Sequence, residues 1–158
     1  MLEPSRELDT IAGAVIGAAL EVHRILGPGF PENVYEHALE IELDSRRVSF
    51  DRQKSVEVSY KGRTVGVGKF DFLVGKSLIA ELKAAERLLP VHHAQVISYL
   101  KATGCRLGLL INFHENQLRQ GLKRIVLTAS ALASVQFTAK TPKSNQDKTN
   151  SSYSIVLS

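Results

Sequence analysis

The sequence predicts one domain of the mixed α/β class, and three observations carry that expectation. Apolar residues recur at helical spacing as far as Arg47. The period then drops from about 3.6 to about 2, the spacing of strands. One further helical segment, Pro90 to Thr103, separates this β-rich stretch from two more strands. A chain of 158 residues, 44% apolar and 23% charged, can bury one sizeable core.

From about Ser5 to Leu26, the residues Leu8, Ile11, Ala12, Val15, Ile16, Ala19 and Leu20 lay one apolar stripe along a helix. Gly13 and Gly17 weaken that helix by up to ~1 kcal/mol each relative to alanine, so they predict close packing against another element. Gly27-Pro28-Gly29 breaks it. A second helix begins with Pro31 in its first turn, where a missing amide hydrogen costs little, and runs to about Arg47 through Val34, Tyr35, Ala38, Leu39 and Ile41. Val56, Val58 and Tyr60 then alternate with Ser55, Glu57 and Ser59. Lys61-Gly62 makes a turn, and Val65, Val67, Phe70, Phe72 and Val74 continue the β-rich pattern. After Gly75-Lys76, the segment Ser77 to Lys83 reads as a strand, and Gly104 ends the third helix. Leu107 to Ile111 has no polar face and so reads as a strand buried on both sides. Leu122 to Leu127 is the last strand expected. The domain therefore spans 1–128, and 129–158, rich in Ser, Thr, Lys, Gln and Asn, is expected as a disordered polar tail.

No run of about 18 or more uncharged apolar residues occurs, and the N-terminus lacks the basic, apolar, small-residue order of a signal peptide. A cytoplasmic or nucleoid-associated protein is expected, neither secreted nor membrane-bound. The single Cys105 excludes an internal disulfide, a thiolate zinc site and an iron–sulfur cluster, and reads as a small core residue. A charge of +4 and a pI near 9.3 suit a polyanionic partner, but equally many enzymes of small molecules. Gly66-Val67-Gly68-Lys69 lacks the spacing of a phosphate-binding loop, and the five histidines lack that of a metal site.

The informative pair lies in a hairpin. A three-residue loop, Gly75-Lys76-Ser77, sets Asp71 directly opposite Glu81, with Cβ atoms about 4.5–5.5 Å apart. Strict alternation puts Lys69 and Lys83 on the face of these acids and turns Phe70, Phe72, Leu78, Ala80 and Leu82 to the other. Adjacent carboxylates need lysines, a divalent cation or a shared proton to offset their repulsion. The plainer reading is a solvated charge ladder on an exposed strand. Glu32 and Tyr35 share a face of the second helix, and His92, Gln95 and Tyr99 form a polar stripe on the third.

Taken in order, Gly29-Phe30-Pro31-Glu32-Asn33-Val34-Tyr35, Asp71, Glu81-Leu82-Lys83 and Gln95-Val96-Ile97-Ser98-Tyr99 resemble the GxxExxY family of the PD-(D/E)XK nuclease-like superfamily, on its RecB-like branch. The resemblance covers about residues 5 to 127. It implies a restriction-endonuclease-like core: a mixed central sheet opening with a three-strand antiparallel meander, flanked by helices. It further implies that Asp71, Glu81, the Leu82 carbonyl and Glu32 hold Mg²⁺, with Mn²⁺ as a substitute, and that Lys83 orients water or stabilises phosphate charge. Gln95 and Tyr99 would support the site and contact the nucleic-acid backbone; His92 matches without a clear role. The implied activity is hydrolysis of phosphodiester bonds, leaving a 5′-phosphate, on DNA in preference to RNA. The donor set agrees, since a hard cation takes carboxylate, carbonyl and water oxygens. The alternative is a catalytically silent nucleic-acid-binding or assembly module on the same fold. A homodimer packed through the alanine- and glycine-rich first helix is a further expectation.

Overall fold

The computed structural model describes residues 5–128, 136–137 and 153–157. The first helix, α1, spans Arg6–Leu26 and is capped by the Ser5 side chain, which accepts from the Leu8 amide at 3.3 Å. Leu8, Ala12, Val15, Ala19 and Val22 form its buried stripe. It ends at Gly27, whose φ of 67° is readily open only to a residue without Cβ. The expectation for its inner glycines holds at one of the two: a Cβ on Gly17 would stand 3.1 Å from the Arg46 guanidinium, whereas one on Gly13 would meet nothing within 4 Å. Helix α2 spans Glu32–Ser45 and packs beside α1.

Strands β1 (Phe50–Tyr60), β2 (Arg63–Val74) and β3 (Leu78–Lys83) follow as an antiparallel meander. Helix α3 (Pro90–Thr103) then crosses over to β4 (Leu107–Asn112), which pairs parallel to β3, as such a crossover allows. A 3₁₀ turn at Leu118–Gly121 leads into β5 (Leu122–Val126), antiparallel to β4. The sheet is thus mixed and lies between helices, the architecture of a restriction-endonuclease-like fold.

Both faces of the sheet are covered. Phe72, Val74, Leu78, Ala80, Leu82, Leu107, Leu109 and Ile111 pack under α1 and α2. Phe70, Leu73, Ile79 and Leu110 pack under α3 with Val96 and Leu100. This corrects the expectation of one apolar and one charged face, and of Phe70 beside Phe72. The strands exchange faces where Gln53 and Asp71 drop out of the β1–β2 ladder, which resumes with the same register on either side. Gln53 takes a φ of 50° there, outside the extended region, so the period-2 rule fails at that point; a second irregularity, a register shift, lies between Val58 and Ser59.

Of the segment expected as a disordered tail, two pieces are described, and both are strands. β7 (Tyr153–Leu157) pairs parallel to the outer half of β1, and β6 (Gln136–Phe137) pairs with β7. The expectation does not hold for those seven residues, because the outer edge of β1 offers unsatisfied backbone groups to any strand that reaches it. The rest of 129–158 lies outside the described residues. Among the described residues, no helix is long and apolar enough to cross a membrane.

Candidate active site

The hairpin register is as the loop predicts: Val74 faces Leu78, Leu73 faces Ile79 and Phe72 faces Ala80. One step further the ladder opens, and the two acids fill the gap. Asp71 Oδ2 accepts the Leu82 amide at 2.8 Å, and Glu81 Oε2 accepts the Asp71 amide at 3.1 Å. Each carboxylate occupies a backbone group that strand pairing no longer satisfies. Both side chains are buried, with Asp71 8% and Glu81 4% exposed.

Burial dominates their chemistry. It pushes Asp71 up to about 6, helped by the negative charges of Glu36 and Glu32 and opposed by the Leu82 amide and Lys83. Burial also pushes Glu81 up to about 8, with the Asp71 charge adding to it and Lys83 opposing. Of the two lysines expected beside the acids, Lys83 is there, its Nζ 3.6 Å from Glu81 Oε1. Lys69 is exposed and pairs with neither acid.

Glu32, partly exposed at the start of α2, is near enough for its charge to raise both acids. Leu82 is tied to Asp71 through its amide. On α3, Gln95 Nε2 donates to the Tyr99 hydroxyl at 3.1 Å. Burial, then the charge of Glu81, raises the Tyr99 phenol. The structure thus brings Glu32, Asp71, Glu81, Lys83, Gln95 and Tyr99 to one end of the sheet. Tyr35 stands apart from them. Its hydroxyl donates to Gly27 O at 2.6 Å and accepts from the Phe30 amide at 3.1 Å, and its ring stacks on Phe113 at 4.6 Å. It anchors the Gly-Pro-Gly turn. His92 caps α3: its Nδ1 accepts the Leu89 amide at 3.0 Å.

Three neighbours escaped the sequence reading. Gln53 bridges α2 to the site, donating to Glu36 and to Asp71 Oδ1, the latter at 3.3 Å. Glu36, 8% exposed, is held in turn by Arg52 at 2.9 Å, and Arg52 also pairs with Glu40. The signal for Glu36 was present, since it lies four residues after Glu32 on the same helical face. Gln53 gave none, because its role depends on a backbone angle. Asn112 closes β4 as a polar residue after an apolar run, and it is fully buried. Its side chain accepts the Ala85 amide at 3.1 Å and donates to Ala85 O at 2.8 Å, clamping the segment after Lys83. Asn112→Ala is expected to lose about 2 kcal/mol by leaving Ala85 groups unpaired. Urea unfolding checks this, with an unchanged midpoint as the contrary result.

Among the described residues, no three His, Cys, Asp or Glu stand together as a ready metal centre. The donors present are two adjacent carboxylates with one lysine. The two carboxylates fit a hard divalent cation, which completes its shell with carbonyl and water oxygens, and a cation there would offset the cost of burial that chiefly raises both acids. Cys105 is buried, and burial pushes its thiol up, away from nucleophilic use. The family model described as the PD-(D/E)XK nuclease superfamily matches residues 9–125. No curated protein and no solved structure matches the chain.

Proposed function

The chain belongs to the PD-(D/E)XK nuclease superfamily, and from that premise we propose that it is a magnesium-dependent nuclease hydrolysing phosphodiester bonds of DNA. The order of its motifs supports a place in the GxxExxY family on the RecB-like side. The observation that carries the reading is the meeting of Asp71 and Glu81 beside Lys83, at the point where β2 and β3 part. Such a site has a use for a cation: among the described residues Lys83 is the one cation paired with the two buried acids, and it leaves a second negative charge to be met.

In this reading Asp71 and Glu81 hold Mg²⁺, with the Leu82 carbonyl and Glu32 as further ligands and Mn²⁺ as a substitute. The ion, when bound, supplies a water of lowered pKa and withdraws charge from the phosphate. Lys83 keeps its ammonium near the attacked phosphate, orienting water or meeting the developing negative charge. Gln95 fixes the Tyr99 hydroxyl, and the pair supports the site and touches the backbone of the bound strand. Gln53 and Glu36 hold Asp71 in the orientation that ligation needs.

The test is cleavage of labelled single- and double-stranded DNA, with RNA in parallel, in Mg²⁺, in Mn²⁺ and in EDTA. Cutting of DNA that needs the divalent ion and is lost in Lys83→Ala is the expected result. Inertness on every substrate, or cutting that EDTA does not stop, would overturn the proposal.

A further inference from the structure

The β1–β2 hairpin runs past the rest of the sheet. β3 pairs with β2 only from Phe72 to Val74, whereas β1 and β2 stay paired as far as Tyr60 and Arg63. The outer half of the hairpin is therefore an arm that begins at Lys69, two residues from Asp71. At about 3.3 Å per residue it reaches ~20 Å. β7 lies along the β1 side of this arm. On the other side, Arg63 to Lys69 of β2 has no partner strand among the described residues. That open edge starts at α3: a Cβ on Gly68 would stand 3.0 Å from the Tyr99 ring.

The charge of the arm is one-sided. It carries Lys61, Arg63 and Lys69, with Lys54 just outside its base, against the single carboxylate of Glu57. Lys54 pairs with Asp51 at 3.8 Å, and Glu57 takes a hydrogen bond from Thr64. Lys61, Arg63 and Lys69 are exposed, and among the described residues none of them has an ion pair. Two buried acids repel any polyanion brought to them, so a nuclease at this site needs cations nearby to hold the strand. The three free cations stand on an edge that leads directly to the acids, where unpaired strand amides can also donate to phosphate oxygens.

Resting on the nuclease reading, we propose that the open edge of the β1–β2 arm is the docking strip for the nucleic-acid backbone. Lys61, Arg63 and Lys69 bind phosphates spaced along the strand, independently of sequence, and lead it to Asp71 and Glu81. The other occupant an open edge attracts is the same edge of a second copy. Cations at both ends of this one oppose such pairing.

The experiment measures fluorescence anisotropy of labelled DNA with the full-length Glu81→Gln protein in Mg²⁺, alone and combined with Lys61→Ala, Arg63→Ala and Lys69→Ala. The combined variant is expected to bind about tenfold or more weakly, with a salt dependence shallower by ~2–3 in log–log slope on duplex. Unchanged melting temperature would show that the arm still folds. Unchanged affinity and slope, while the unsubstituted protein still cuts DNA, would overturn the docking strip and leave the nuclease reading intact. Absence of both binding and cutting by the unsubstituted protein would overturn both. A dimer dispersed by Val67→Glu, with DNA binding unaffected, would assign the edge to a second copy and overturn the proposal.

Discussion

Glu81→Gln is expected to cut DNA about a thousandfold more slowly than the unsubstituted protein, while its metal-free form at pH 8 is more stable. The two effects share one cause. Glutamine keeps the oxygen that accepts the Asp71 amide but removes the charge that would ligate a cation. Without that charge, Asp71 loses its nearest like-charged neighbour, and the cost of burying two acids is halved. Loss of the Lys83 contact at 3.6 Å offsets part of the gain, leaving about 1–2 kcal/mol in favour of the variant. Single-turnover cleavage and thermal unfolding in EDTA check the two halves. A variant that cuts as well as its parent would remove Glu81 from the site, and one that melts lower would show that the pair is not repulsive.

The metal-free protein is expected to lose stability as pH rises from about 4 to about 8. Asp71 and Glu81 hold their protons more tightly folded than unfolded, about 6 against 3.8 and about 8 against 4.5. The folded form therefore binds more protons through this window. The stabilisation this gives is complete below the unfolded values and is lost as pH climbs through the folded ones. For the pair the change is on the order of 7 kcal/mol, roughly 15–25 °C in melting temperature for a chain of this size. A divalent ion opposes the trend, since it binds only the deprotonated pair. A hundredfold excess over its dissociation constant returns about 2.7 kcal/mol at neutral pH. Thermal scans from pH 5 to 8, with and without Mg²⁺, and with Asp71→Asn combined with Glu81→Gln, isolate the contribution. If the metal-free curve is flat, or the double variant keeps the slope, the acids are not the source.

What could be read in the sequence is what local chemistry dictates. Gly75-Lys76-Ser77 sets a loop length, loop length sets register, and register brought Asp71 to Glu81 without any knowledge of the tertiary fold. The apolar run of β4 announced burial on both faces, and Gly27 and Gly104 announced helix ends. The contributions of Gln53 and Tyr35 were not readable, for different reasons. Gln53 acts through a positive φ inside a strand, which no residue pattern records. Tyr35 shares a motif and a helix face with Glu32, which gave it no role of its own, and its hydroxyl serves the turn between α1 and α2. The pairing of 153–157 with β1 was legible in part, since Tyr153, Ile155, Val156 and Leu157 are strand formers, but the polar composition of 129–152 was extended over them. An unfilled strand edge supplies the missing backbone partners.

The exchange of faces at Gln53 and Asp71 divides the hairpin into two parts with different tolerance to changes of length. Toward the turn at Gly75, one residue added or removed would send Asp71 away from Glu81 and swap the side chains feeding the two cores, so that span cannot drift. Beyond Val56 and Gly68 no described residue of the hairpin belongs to either core, and paired insertions or deletions would lengthen or shorten the reach while sparing the chemistry. Length polymorphism among natural variants should therefore concentrate at the tip, which makes it the place to graft a new targeting loop.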